Sequence, residues 1–190
     1  GAELTVAADG ARTSHFTFND RGRGPDLRST LVVGSDGLPR ALRTAGVDYY
    51  KAKVEEVLEP DAAQMVWRSD ADRGRADAGG FYYPLHPPFD MDAVLARALL
   101  RAPGQRLRLL PVGEAWIVDD RTASFELGGT SVKLRRIDLG GLGFEPTTVW
   151  LAQDLSYFAQ VNAGWSATIV EGAEALVPVL TQADEARVAE

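Results

Sequence analysis

The sequence breaks into apolar or alternating runs of about four to eight residues, each cut off by glycine, proline or acidic punctuation. Such a chain is built to form strands and turns. The texture is plainest in the last third, where Gly140-Gly141-Leu142-Gly143-Phe144-Glu145-Pro146 precedes Val149-Trp150-Leu151, Tyr157 to Val161 and Gly164-Trp165. Earlier, Phe16 and Phe18 alternate with polar neighbours, and Leu27 to Val33 resumes after Arg21-Gly22-Arg23-Gly24-Pro25. Leu38 to Thr44, Tyr50 to Glu55 and Met65 to Ser69 follow with the same period of two. Ser35-Asp36-Gly37 and Gly128-Gly129 read as hairpins, because both supply the positive φ that a tight turn needs. Arg106 to Leu110, Ala115 to Val118, Ala123 to Leu127, Ser131 to Asp138, Thr147 to Leu151 and Tyr157 to Val161 complete the strands. Spacing of roughly ten residues predicts an antiparallel meander.

Three stretches break the pattern. Residues 70 to 80 are polar and glycine-rich and read as a long mobile loop. Asp90 to Ala102 predicts an amphipathic helix, with Asp90 as N-cap, Met91, Val94, Leu95, Ala98 and Leu99 on one face, and Arg97 and Arg101 on another. Pro103-Gly104 ends it. Beyond Trp165, Ile169, Ala173, Leu176, Val177 and Leu180 recur at helical spacing, with Ser166 as candidate cap and Pro178 as a kink or break. The tail from Gln182 is charged and alanine-rich, like a connector. The expected organisation is one β-rich domain over 1–182 and a connector over 183–190.

The expected fold class is therefore α+β, mainly antiparallel β. About ten strands in one sheet would curl strongly, so the architecture expected is a large curved sheet, or half-barrel. Its concave face would pack on the amphipathic helix, with a C-terminal helix added. A closed barrel and a two-sheet sandwich are the alternatives.

Twenty basic and 27 acidic residues leave a net charge of −7, which argues against nucleic acid as partner and against anionic membrane surfaces. A transmembrane helix needs roughly 20 consecutive apolar residues, and no run approaches that. Cysteine is absent, so thiolate chemistry and disulfides are excluded. The sequence starts Gly1-Ala2-Glu3, as a trimmed chain or a mature exported protein would. A periplasmic or cell-envelope location is slightly favoured over the cytoplasm.

Little in the chain points to catalysis. His15 and His86 are the only histidines and share no metal-ligand spacing. Glu55-Glu56 and Asp119-Asp120 are adjacent pairs, and neighbours in a strand point to opposite faces. Glu56 shares the inward register of Ala52 and Val54, so it is expected to be buried and met by an Arg or Lys on a neighbouring strand. Gly22-Arg23-Gly24 and Gly140 to Gly143 lack the form of phosphate loops, and no Gly-x-Ser-x-Gly elbow occurs. Arg135-Arg136 near Lys133 reads as the solvated face of a strand. No catalytic, cofactor-binding or metal-binding residue is assigned. The aromatics run through nearly every strand and read mostly as core. If the concavity stays open, Trp67, Tyr50, Glu56, Trp116 and Phe158 are the candidates to line a ligand pocket.

Four groups of residues, in order, carry a resemblance. They are Asp20 to Pro25; Gly46 to Lys51 with Glu55-Glu56; Leu109 to Ala115; and Pro146 with Val149-Trp150-Leu151 and Phe158-Ala159. Together they resemble the non-catalytic N-terminal region found ahead of the metal-dependent barrel in some bacterial amidohydrolase-family proteins. The likeness spans about residues 16 to 180. The family's His-x-His is absent, so the resemblance implies no catalytic residue here and places any hydrolase chemistry in a longer polypeptide. It implies an accessory domain with a downstream catalytic barrel as partner. The strand-rich, helix-plugged plan also looks like periplasmic lipoprotein-carrier half-barrels, a likeness of fold that does not carry function. The alternative expectation is a free-standing carrier or sensor holding an apolar small molecule or lipid in the concave face.

Overall fold

The computed structural model describes residues 1–162 and 166–188. The first sheet is a seven-stranded meander: β1 (Ala2–Val6), β2 (Arg12–Thr17), β3 (Asp26–Val33), β4 (Pro39–Val47), β5 (Lys53–Asp61), β6 (Gln64–Arg68) and β7 (Arg73–Asp77), each paired antiparallel with the next. The second sheet begins with β8 (Phe81–Tyr82), leaves for helix α1 (Met91–Arg101), and returns as β9 (Arg106–Leu110) parallel to β8. The helix is the crossover that a parallel pair requires. Then β10 (Glu114–Leu127), β11 (Thr130–Gly140), β12 (Thr147–Leu151), β13 (Tyr157–Asn162) and β14 (Ser166–Ile169) continue as an antiparallel meander, and α2 (Val177–Val188) closes the chain.

The fold is thus α+β and mostly antiparallel, with two helices, one C-terminal, and the sheets do not close into barrels. The strands divide between two sheets where a single curved one was expected. The ladder stops at β7 because Ala78, Gly79 and Gly80 carry the chain away, and β8 then pairs parallel with β9. Neither described helix is long and apolar enough to cross a membrane.

Helix α1 fills the space between the sheets. Met91, Val94, Leu95 and Leu99 are buried in one cluster with Leu42, Leu58 and Trp67 of the first sheet and with Ile137, Val149 and Leu151 of the second. Burying each large apolar side chain contributes about 1.5–3 kcal/mol, so this shared core holds the two sheets together. The turn at Gly37 (φ 85) packs so closely on the helix that a Cβ there would lie 3.1 Å from the Ala98 Cα. Asp90 stands at the head of α1 but caps no backbone N–H with its side chain. Its carboxylate is instead taken by Arg12 of β2, with Nε at 2.9 Å. Arg97, expected on the solvent side, is half-buried and donates Nη1 to the Leu155 carbonyl at 2.9 Å. Burial pulls its pKa down to about 10.

Two local expectations change. The stretch 70–80 is not a long loop: Arg73 to Asp77 pairs with β6 from Arg68 back to Gln64. Its inward positions are small because the Trp67 ring lies over Gly74, where a Cβ would sit 2.4 Å from Cζ2. At the C-terminus, Ser166 caps no helix but starts β14, and α2 begins only at Val177. The helical stretch comes in two pieces, a 3-10 turn over Glu174–Leu176 and then α2, and Pro178 stands in the first turn of α2, where its missing N–H breaks no helical bond. The boundary drawn at 182 falls inside this helix. Leu176 and Leu180 pack with Leu134, Trp150 and Phe158 on the face of the second sheet turned away from α1, and Asp184 is buried beside Arg136.

Candidate functional site

Because α1 occupies the interior, the open apolar space lies at a seam. The N-terminus of β1 and the end of β2 approach β14 across a cleft of about 610 Å³. Phe16, Phe18 and Tyr49 line one wall, and Ala167, Thr168 and Ile169 line the other. A recess of about 330 Å³ shares Phe16, Tyr49, Ser166 and Thr168 with the cleft and continues toward Leu85, Phe89 and Gln160. The two form one groove.

Aromatic rings run along it. Phe18 meets Phe16 edge-on at 5.9 Å between centroids, Phe16 meets Phe89 at 6.3 Å, and Phe89 meets Tyr157 at 5.5 Å. In the other direction Phe18 lies 6.1 Å from Tyr49, which lies 5.2 Å from Tyr50. Strand alternation puts Phe16 and Phe18 on one side, and the 18–25 loop fixes Phe18. Gly24 (φ 118) backs directly on the Phe18 carbonyl, and its N–H donates to the Tyr49 carbonyl at 2.9 Å. Lys51 Nζ donates to the Gly24 carbonyl at 2.6 Å. The Tyr49 hydroxyl donates to Asp20 Oδ2 at 2.6 Å, and this bond raises the phenol pKa.

Two buried carboxylates support the walls. Glu56 is wholly buried and accepts from the Tyr82 hydroxyl at 2.7 Å, the Leu85 N–H at 2.9 Å and the His86 N–H at 2.8 Å. The expected burial is there, but three neutral donors stand where a basic side chain was expected. Asp92 of α1 accepts from the Tyr83 hydroxyl at 2.7 Å and from Gln160 Nε2 at 2.6 Å. Burial raises the Asp92 pKa against the lowering effect of those two bonds, and it pushes the Tyr83 phenol far up. At the cleft itself, Glu174 is held ionised by its own backbone N–H and that of Gly172.

The structure does not gather the five sequence candidates into one pocket. Trp67 is a core residue whose Nε1 donates to Asp72 Oδ2 at 3.0 Å. Trp67 and Glu56 do converge, through Tyr82, whose ring lies 5.9 Å from that of Trp67. Tyr50 lies in the turn before β5 and is 76% exposed. Trp116 is half-buried against Gly140 and Gly141 with the Arg106 guanidinium over its ring. Phe158 belongs to the cluster under α2. Trp165 lies outside the described residues.

The other polar candidates also separate. His15 Nε2 lies 2.8 Å from Asp26 Oδ1, and His86 Nε2 lies 3.1 Å from Asp70 Oδ1. Among the described residues, no three His, Asp or Glu side chains group as ligands for a metal. Arg135 pairs with Asp120 in a two-point contact, whereas Arg136 is buried. It is buried against Asp138, Nη2 to Oδ2 at 2.9 Å, and Asp138 also accepts from the Thr148 hydroxyl at 2.7 Å.

Sequence reasoning missed Phe89 and the wall formed by Thr168 and Ile169. Phe89, immediately before Asp90 and α1, was legible as an apolar residue at a helix entry, which commonly packs back on its surroundings. The β14 wall had no such signal, since its spacing also fits a helix. The chain matches no family model, no curated protein and no solved structure.

Proposed function

We propose that this domain is a non-catalytic binding module that takes an elongated apolar molecule, such as a lipid acyl chain, along the seam between its two sheets. The observation that carries the reading is the unbroken run of rings from Tyr49 through Phe18, Phe16 and Phe89 to Tyr157 beside an open groove. A groove of this volume, mostly apolar with a few hydroxyls and carboxylates, suits a small hydrophobic ligand. The test is fluorescence titration with N-phenyl-naphthylamine on the wild type and on Ile169→Glu, a half-buried wall residue. Affinity should fall about tenfold or more in the variant, since a charge would be desolvated by the ligand. Equal affinity in both proteins, or none in the wild type, ends the reading.

A second reading, an accessory domain of an amidohydrolase-type enzyme, is favoured by where the turns among the resembling segments lie. The turns 20–25, 46–51 and 109–115 and Pro146 fall at the same end of the strands, and the first two are bonded to each other through Gly24, Tyr49 and Lys51. Such an end would face a neighbouring barrel. The parent reading frame tests this: absence of a barrel downstream removes it.

A further inference from the structure

We propose that this same loop end docks reversibly on a zwitterionic lipid surface and brings the mouth of the cleft to the bilayer. The proposal deepens, and rests on, the binding-module reading.

The strand registers bring the loops together. Thr17 pairs with Asp26, Asp26 with Val47, and Val47 with Lys53, so the 18–25 loop and the 48–52 turn share one end. Glu56, near the start of β5, holds the Leu85 and His86 backbone there. Tyr83 donates its N–H to the Leu110 carbonyl at 3.0 Å, which sets the 83–89 segment beside the 111–113 turn. Trp116 pairs with Gly140, and Gly141 backs on the Glu114 carbonyl, which adds the 141–146 loop.

Each of these loops presents one large apolar side chain to solvent. Phe144 is fully exposed, Val112 is 81% exposed, Tyr50 76% and Leu85 54%, and Phe18 is exposed where the cleft opens. Most of the exposed large hydrophobics of the described chain are therefore tips at one end. Three of them are continuous with the groove: Leu85 lines the recess, Phe18 lines the cleft, and Tyr50 stacks edge-on against Tyr49.

The placement of these tips, one to a loop, selects the partner. A protein interface needs a contiguous, close-packed apolar centre, and single side chains on separate loops do not make one. A bilayer surface asks only that apolar and aromatic tips reach the headgroup layer together. Charge selects the lipid. Within these loops Asp20, Asp48 and Glu145 only balance Arg21, Arg23 and Lys51, so no basic patch holds an anionic leaflet, and the net charge of −7 repels one and leaves a neutral one.

The test is flotation of the whole chain with vesicles of pure dioleoyl-phosphatidylcholine or pure dioleoyl-phosphatidylglycerol, for the wild type and for the combined variant Val112→Ser, Phe144→Ser, two tips that line neither the cleft nor the recess. These tips are exposed, so melting temperature checks that the variant folds, and N-phenyl-naphthylamine binding checks the cleft separately. The wild type should float with phosphatidylcholine, unaffected by added salt. The variant should bind vesicles about tenfold more weakly while holding the probe as before. Absence of flotation with phosphatidylcholine, equal flotation of both proteins, or salt-sensitive binding confined to phosphatidylglycerol overturns docking and leaves the cleft reading in place. A concentration-dependent dimer lost in the variant overturns it in favour of self-association. Flotation without probe binding removes the cleft reading and with it the delivery of a ligand.

Discussion

Gln160 Nε2 donates to Asp92 Oδ2 at 2.6 Å and so ties β13 to the first turn of α1 beside the groove. The carboxylate is buried, and its hydrogen-bond partners, Tyr83 and Gln160, are both uncharged. Its pKa is raised chiefly by burial. The folded state therefore holds this proton more tightly than the unfolded chain, so stability falls as pH rises from about 4 through the raised folded value. Above that value Asp92 is a buried charge. Asp92→Asn keeps an acceptor for Tyr83, and Gln160 can turn its amide to accept from the new one. The variant should be as stable as the wild type or up to about 1 kcal/mol more stable at pH 7, with the gap closing toward pH 4. Urea unfolding at both pH values checks it; a variant less stable at pH 7 by a margin that does not change with pH contradicts it.

Glu56 holds backbone as well as a side chain. Its two oxygens satisfy three donors, two of them backbone N–H groups of the segment that walls the recess. Glu56→Ala should cost about 2–4 kcal/mol, because each orphaned buried donor costs about 1–3 kcal/mol and the loop can recover part of this by opening to water. Glu56→Gln, which keeps one carbonyl acceptor, should lose less. Amide exchange should accelerate at Leu85 and His86 in the alanine variant and leave the β10–β11 ladder unchanged.

Elements specified by their own residues were legible in the sequence. The helix over 91–101 showed its period of 3.6, and Gly128-Gly129 gives the hairpin of β10 and β11 with both φ angles positive, at 60° and 81°. Elements specified by distant neighbours were not. The strand over 73–77 looked like a loop because its inward residues are Gly74 and Ala76, and the first is small because Trp67 covers it. Ile169 fell by coincidence on the helical spacing of Leu176 and Leu180, yet it pairs with Ala159 in the sheet. Tyr50 was read as part of an alternating strand, but Lys51 at φ 69 turns the chain there and leaves the ring outside. The groove has no local signature, since its walls come from residues about 150 apart that meet only when both sheets wrap α1.

Gly46 shows how backbone approach limits substitution inside a strand. It sits in β4 at φ 146, and an added Cβ would fall 1.9 Å from the Asp26 carbonyl oxygen. Neither atom belongs to a flexible side chain, so the β3–β4 ladder would have to part. Gly46→Ala should cost about 2–4 kcal/mol, whereas Gly129→Ala, with open space around it, carries only the conformational penalty of roughly 1–2 kcal/mol. Paired denaturation curves separate the two, and equal losses would mean that the close contact relaxes freely.

Leu180 tests whether the C-terminal segment is part of the domain. Leu180 is fully buried on the inner side of α2, in the cluster that includes Trp150 and Leu176. Leu180→Ala should cost about 2–4 kcal/mol, the loss of the buried group plus the cavity it leaves between helix and sheet. Val179, the preceding residue, is 41% exposed, and Val179→Ala should change stability by no more than about 0.5 kcal/mol. The contrast is read from urea midpoints of the two variants. A silent Leu180→Ala would mean that α2 does not seal the sheet, while the expected loss makes it the outer layer that keeps water from Trp150 and Phe158.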